Sequence, residues 1–229
     1  MGSCNSNRVP VEQINTMTSN QDKVSNNRLE RIANAWVGHF SNKKHIESGD
    51  TEMTIEQELI GRRIWKKARI NEHWIYTGWY PANSYATPLA TSIAEITKIA
   101  PDTAFITFYR LPQHLKDKVD PYEWAKPQPF EEIERADLLS NGEDCGCYIV
   151  RGEKGGYQLI AKGACYDDIS DQLKYYIINA TMKSDRIAFN TRLLDADQKE
   201  MVNYQNNVFH RMNKKELEKK YVELPLTSL

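Results

Sequence analysis

Nowhere in the sequence do about 18 apolar residues run together, so no segment is fit to cross a membrane as a helix. The amino terminus also lacks the apolar core of a secretory signal, and the chain as it stands reads as soluble. Net charge is almost absent: 30 Lys and Arg stand against 31 Asp and Glu. With no overall field to attract a polyanion, nucleic acid is excluded as an expected partner. The five histidines, His39, His45, His73, His114 and His210, are scattered, and none pairs with another at ligand spacing. Four cysteines without paired two-to-four-residue spacing do not make a zinc site, so no metal is expected. No strand-helix-strand rhythm appears, which disfavours a parallel sheet, and there is no internal repeat.

What is present begins with "MGSCNS". Gly2 and Ser6 fit the myristoylation pattern, and Cys4 can take a second acyl chain; two chains anchor where one is marginal. Alternatively, Met1–Ser3 is a cloning addition and Cys4 is the lipid-bearing first residue of a bacterial lipoprotein. A plain disordered tail with a free cysteine is the third reading. Residues 1–27, rich in Asn and Ser, read as a solvated tether under all three. Lipid-anchored and extracytoplasmic is the preferred location, with the cytoplasm as the alternative.

Order is expected from Arg28. Leu29, Ile32, Ala33, Trp36, Val37 and Phe40 recur at helical spacing and form one apolar stripe, with Asn27 as cap and an end near Ser41–His45. From Thr51 the period becomes two. "TEMTIEQEL", "RRIWKKARI", "EHWIYTGWY", "SIAEITKIA", "TAFITFYRL", "CYIVRG", "YQLIAKG", "KYYIINATM", "DRIAFNTRLL" and "NVFHRM" follow as strands, several joined by short turns. So many short strands predict a mainly β fold: one antiparallel, calycin- or lipocalin-like barrel over residues 28–212. Closure removes the exposed edges. The amphipathic helix precedes the barrel, short helices lie at its periphery, and 213–229 forms a charged tail or short helix.

A barrel of this size is either filled by side chains or hollow enough for one ligand. Trp74, Tyr76 and Gly78 share one face of their strand, and Tyr109 lies on a strand close behind. Rings with a polar handle suit a flat or amphipathic ligand; ordinary barrel core is the competing explanation.

Three cysteines fall in or beside "EDCGCYIVRGEKGGYQLIAKGAC", residues 143–165. A catalytic thiolate would need a neighbouring cation or helix terminus, and only Arg151 and Lys162 are near in sequence. A disulfide is geometrically easier. Adjacent antiparallel strands can bring Cys147 and Cys165 together, with Cys145 as the alternative partner, provided the compartment is oxidising.

The order of landmarks from about Arg28 to Met212 resembles the CpcT/CpeT family of T-type phycobilin lyases. The resemblance rests on "GHFSN" after the first helix, Ile64-Trp65, "WIYTGWY", Phe108-Tyr109-Arg110-Leu111, Gly146-Cys147 with the later Cys165, and the closing Val208-Phe209-His210-Arg211. It implies a calycin-like barrel, a homodimer, and attachment of an open-chain tetrapyrrole to a cysteine of an acceptor protein by formation of a C–S bond. Phycobilin is then substrate or ligand, and no cofactor is expected.

The chain departs from that pattern. "PLATSIAEI", from Pro88 to Ile96, stands where the family carries a basic cluster, and Gly78-Trp79 replaces its Glu-Gln pair. Propionates call for guanidinium partners, and attachment calls for an acidic group to protonate or orient the tetrapyrrole. Two readings follow. In one, Trp74, Tyr76 and Tyr109 line a bilin pocket while Arg110 and Arg186 replace the missing propionate partners, and the catalytic residue is unassigned. In the other, the chemistry is lost and a lipoprotein binds another apolar or flat ligand.

Overall fold

The computed structural model describes residues 28–51, 53–65, 72–82, 84, 88–100, 103–116, 118–119, 130, 132–152, 155–167 and 169–223. The tether, Gly2, Cys4 and the Asn27 cap lie outside the described residues. The helix α1 spans 28–36. It ends several residues earlier than its apolar stripe suggests, because Gly38–Ser41 is instead strand β1, pairing with both neighbours in the ring.

The strands are β2 (Gln57–Ile64), β3 (Glu72–Pro81), β4 (Ala90–Ala100), β5 (Thr103–Arg110), β6 (Leu139–Ser140), β7 (Gly146–Arg151), β8 (Tyr157–Ala161), β9 (Cys165–Tyr166), β10 (Tyr175–Met182), β11 (Arg186–Leu194) and β12 (Glu200–Arg211). Short helices α2 (Lys43–Glu47) and α3 (Gln113–Lys116) and the C-terminal α4 (Lys214–Glu223) complete the chain. Thr51 and Met53–Glu56 are not part of a strand; the strand begins only at Gln57.

All described pairings are antiparallel, in the order β1-β2-β3-β4-β5-β7-β8-β10-β11-β12, and β12 returns to β1. The sheet is therefore a closed ten-stranded barrel, with β6 and β9 attached outside the ring. Closure pairs each of the ten ring strands with a neighbour on both sides.

The largest apolar cluster draws at least one residue from each of the ten ring strands, together with Leu29, Ile32, Ala33 and Trp36 of α1. Only a shared interior can collect side chains from every strand of a ring. The lumen is thus occupied by the stripe of α1. Trp36 lies 6.4 Å from both Phe108 and Phe189, centroid to centroid, and its indole Nε1 donates to Thr77 Oγ1 at 2.8 Å. Gly61 on β2 lets the helix dock, since a Cβ there would collide with the Trp36 carbonyl oxygen. The hollow calyx expected from strand count is filled, because the amphipathic helix has nowhere else to bury its apolar face.

Cys165 is bonded to Cys145, not to Cys147. The register explains why Cys147 is left out: it pairs with Ala161, four residues short of Cys165. Beyond β8 the chain runs back past the residues preceding β7, where Cys165 meets Cys145 at a Cα separation of 4.4 Å, while Cys147 remains a buried free thiol bonded to the Ile178 carbonyl. Bridging residues 20 apart constrains the unfolded chain by about 3 kcal/mol on the loop-entropy model. Cys145→Ser is accordingly expected to lower the free energy of unfolding by about that amount in urea titration, while Cys147→Ser leaves the bond intact. Equal stability of Cys145→Ser and the parent under oxidising conditions would contradict the pairing's role.

Candidate functional site

Strands β2 to β5 carry a second, separate cluster on their outward face: Ile64, Trp74, Tyr76 and Ile93, covered by Leu111, Phe130 and Leu138. Period-two alternation puts Ile75 and Trp79 of β3 into the lumen and turns Trp74 and Tyr76 outward. Trp74 and Tyr76 therefore share a face, as the sequence indicates, but it is the outside of the barrel. Tyr109 joins them from β5 and packs against the same cluster. The expectation that these rings line a central hollow is corrected by the chain's own helix, which takes that space.

The registers bring Trp74 opposite Glu95 and Ile93 opposite Tyr109, so the four side chains lie on neighbouring strands of one face. Tyr109 donates its hydroxyl proton to Glu95 Oε2 at 2.9 Å, and Arg135, in the 3-10 turn Arg135–Asp137, contacts the same oxygen at 3.0 Å. A second guanidinium contact runs from Arg135 to the Tyr109 hydroxyl at 3.3 Å. The Arg135 group also sits 5.5 Å above the Trp74 ring, and Trp74 stands 5.8 Å from Tyr109 and 5.0 Å from Trp65. Trp74 Nε1 also donates to Glu72 Oε2 at 3.4 Å, so the rings of Trp65, Trp74 and Tyr109, the carboxyls of Glu95 and Glu72 and the Arg135 guanidinium converge.

Their charges are set by burial. Glu95 is 2% exposed, and desolvation lifts its carboxyl above the ordinary range despite the opposing Tyr109 hydrogen bond and Arg135 charge. Burial likewise raises the Tyr109 phenol. The Arg135 side chain is 58% exposed and marks the edge at which solvent reaches the group. A carboxyl with a raised value beside a phenol and a cation can give up a proton and take one back, which is the equipment of general acid–base chemistry.

A second polar pair continues along the face. The hydroxyls of Tyr76 and Tyr80 meet at 2.8 Å, both rings being buried, and Gly78 between them makes the contact feasible: a Cβ there would crowd both phenols. Burial, then the Tyr80 neighbour, raises Tyr76 well above the ordinary phenol. Opposite Tyr80 in register lies Glu58, which bonds His39 Nε2 at 2.5 Å.

The remaining residues singled out in the sequence are elsewhere. Arg110 follows the inward parity of Phe108 and stacks over Tyr166 at 5.1 Å, away from Trp74. Arg186 begins β11 on the opposite side of the ring. Cys147 is no nucleophile in this state, because burial pushes its thiol up to about 12. The sequence marks Trp65 and Tyr80 only as parts of the landmarks "IW" and "WIYTGWY", and it marks neither Glu95 nor Arg135. Glu95 lies inside "PLATSIAEI", two residues from Ile93 on the strand's outward face, and its isolation between apolar neighbours was the available signal. Arg135 carried none, being brought in by a loop. Among the described residues no cluster of His, Cys, Asp and Glu could hold a metal ion.

No protein-family model and no curated protein matches the chain. Solved structures do. The CRL protein of Arabidopsis, 9% identical, superposes with a TM-score of 0.61 over 82% of this chain and 99% of its own. The T-type phycobiliprotein lyase CpeT from Prochlorococcus phage P-HM1, 8% identical, gives a TM-score of 0.46 over 81% of this chain and 98% of its own. At such identities likeness speaks for fold alone. The chain accordingly has the antiparallel barrel fold of the CRL protein.

Proposed function

We propose that the chain is a chromophore lyase-like protein that holds an open-chain tetrapyrrole against the outer β3–β5 face and delivers it to a cysteine of an acceptor protein. The observation that carries this reading is Glu95, a buried carboxyl with a raised proton affinity, joined to Tyr109 and Arg135 beside the Trp74 ring. Trp65 and Tyr109, half-buried around the buried edge-on Trp74 ring, offer apolar ring surface to a conjugated ligand, and the half-exposed Arg135 guanidinium offers a partner for a propionate.

The chemistry asked of the site is addition of a thiol across an exocyclic double bond of the tetrapyrrole. One C–S bond forms, the π pair of the C=C bond takes up a proton, and the thiol proton leaves, so no oxidant or reductant is consumed. Glu95 is assigned the proton delivery, Tyr109 its orientation, and Arg135 the anchoring of the substrate's carboxylate. The reacting thiol belongs to the acceptor, since Cys147 is buried and Cys145 is bonded.

The disulfide favours an oxidising compartment, and with it the lipid-anchored, extracytoplasmic location with Cys4 as tether. The filled lumen favours a second reading, in which the barrel only binds and the attachment chemistry is gone. Co-expression with bilin-synthesis enzymes and a phycobiliprotein acceptor subunit separates the two. An acceptor that acquires covalently bound colour only when the chain is present supports the lyase reading. A coloured chain beside an unmodified acceptor supports binding alone, and a colourless chain beside an unmodified acceptor contradicts the lyase reading and leaves binding of another apolar or flat ligand.

A further inference from the structure

On the outer surface of β10, β11 and β12, beside α2, lies a groove of about 820 Å³ that is separate from the Glu95 face. Its cations give it its character. Several cations elsewhere are paired: Arg63 with Glu30, Arg135 with Glu95, Lys162 with Asp144, Arg192 with Glu200. In the groove, Lys183 and Arg186 are half-buried and make no side-chain hydrogen bond or ion pair among the described residues. Arg186 stands directly opposite His210 in the β11–β12 register, an arrangement that costs stability whenever both are charged. His45 closes the groove from α2; it is 6% exposed, and its Nε2 has no hydrogen-bond partner.

The field these groups create is already felt at His210, whose proton affinity is lowered by burial first and then by Lys44 and Arg186, with Asp185 opposing. Lys44 is partly neutralised by Glu216 at 3.0 Å, and Asp50 is the acid on the groove's own wall. The floor between the cations is small and apolar, formed by Ala188 facing Val208 across the ladder. Like charges gathered around a polar-edged, apolar-floored groove repel one another, and an anion among them would relieve that repulsion.

We infer that this groove binds a small organic phosphate monoester, its phosphate between Lys183, Arg186 and His45 and its uncharged body on Ala188 and Val208. A guanidinium grips phosphate through two parallel hydrogen bonds, and an unpartnered imidazole nitrogen supplies a third. The volume falls within the roughly 300–1,000 Å³ usual for small-molecule pockets and exceeds what a bare phosphate needs.

Isothermal titration calorimetry on the full chain, with phenyl phosphate and inorganic phosphate at constant ionic strength, tests it. Phenyl phosphate should bind saturably and more tightly than inorganic phosphate. Lys183→Ala combined with Arg186→Ala should weaken it about tenfold or more, whereas Arg192→Ala, a paired and exposed cation on the same strand, should not. Arg186→Gln, which preserves length and polarity, serves if the double variant fails to fold. Absence of saturable phenyl phosphate binding, or an equal loss in Arg192→Ala, overturns the inference. So does groove-dependent co-sedimentation with phosphatidylglycerol vesicles without phenyl phosphate binding, which would make the ligand a lipid headgroup.

Discussion

Glu95→Gln is expected to slow tetrapyrrole transfer to the acceptor by about a hundredfold or more, the usual contribution of a positioned proton donor, while leaving the barrel folded. Gln keeps the shape and can still accept from Tyr109, so the stacked rings stay in place and only the exchangeable proton is lost. The pH dependence gives the sign. Burial raises the Glu95 carboxyl, so the wild-type acid form persists above the ordinary carboxyl range, and activity should fall as pH rises through that raised value. The same shift speaks to stability: the folded chain holds this proton more tightly than the unfolded one. The contribution is full below the ordinary carboxyl value and is lost as pH climbs through the raised one. Glu95→Gln removes that loss and should be no less stable than the parent at neutral pH. Single-turnover transfer measured from acid to mildly alkaline pH, beside thermal unfolding of both proteins, checks the pair of statements. A destabilised variant with unchanged transfer would make Glu95 a structural residue.

Glu58→Leu should destabilise the fold by about 3–5 kcal/mol, a large part of the total for a domain of this kind. His39 and Glu58 lie on β1 and β2 with their side chains each 1% exposed, bonded at 2.5 Å. Glu58→Leu takes the carboxyl from the buried His39 Nε2 and puts an apolar group in its place. The pair also sits beside the seam where β1 joins β12 and the ring closes, so its loss is felt at the last contact the barrel makes. Replacing both residues, as in His39→Phe with Glu58→Leu, should recover much of the loss, because a well-packed apolar pair carries no desolvation cost. Urea unfolding of the two single variants and the double variant measures the coupling directly. Singles and double equally destabilised would mean that packing alone, not the polar pair, matters at this site.

Periodicity made the strands legible: β3, β4, β5, β7, β8, β10 and β11 lie where alternation and turn residues place them. It also grouped Trp74 with Tyr76 and, across one strand, with Tyr109. Alternation cannot say which face is the inside, however, when both are apolar. Along β3 the buried residues run without a break from Trp74 to Gly78, so nothing in the pattern marks the lumen. The deciding element was α1. Its stripe was plain, but that it plugs the barrel depends on contacts between Trp36 and residues far along the chain. Short elements escaped for a related reason: β1, β6 and β9 have too few residues to show a period and exist only through their partners. The disulfide turned on a register that spacing alone leaves open by one alternation. Arg135 reaches Glu95 from a distant turn, a kind of contact no local pattern contains.

The central claim is that the ligand face is the outside of β3–β5 and not the lumen. Trp74 and Trp79 offer a matched pair on one strand, the first beside Glu95 and Tyr109, the second inside against Phe189 and Phe209. Absorbance titration with biliverdin of Trp74→Ala and Trp79→Ala, each checked for native circular dichroism, is the most direct measurement. The account predicts that Trp74→Ala weakens binding by about tenfold or more and that Trp79→Ala leaves it near wild type. Retained affinity in Trp74→Ala together with lost affinity in Trp79→Ala would place the ligand in the lumen and contradict it.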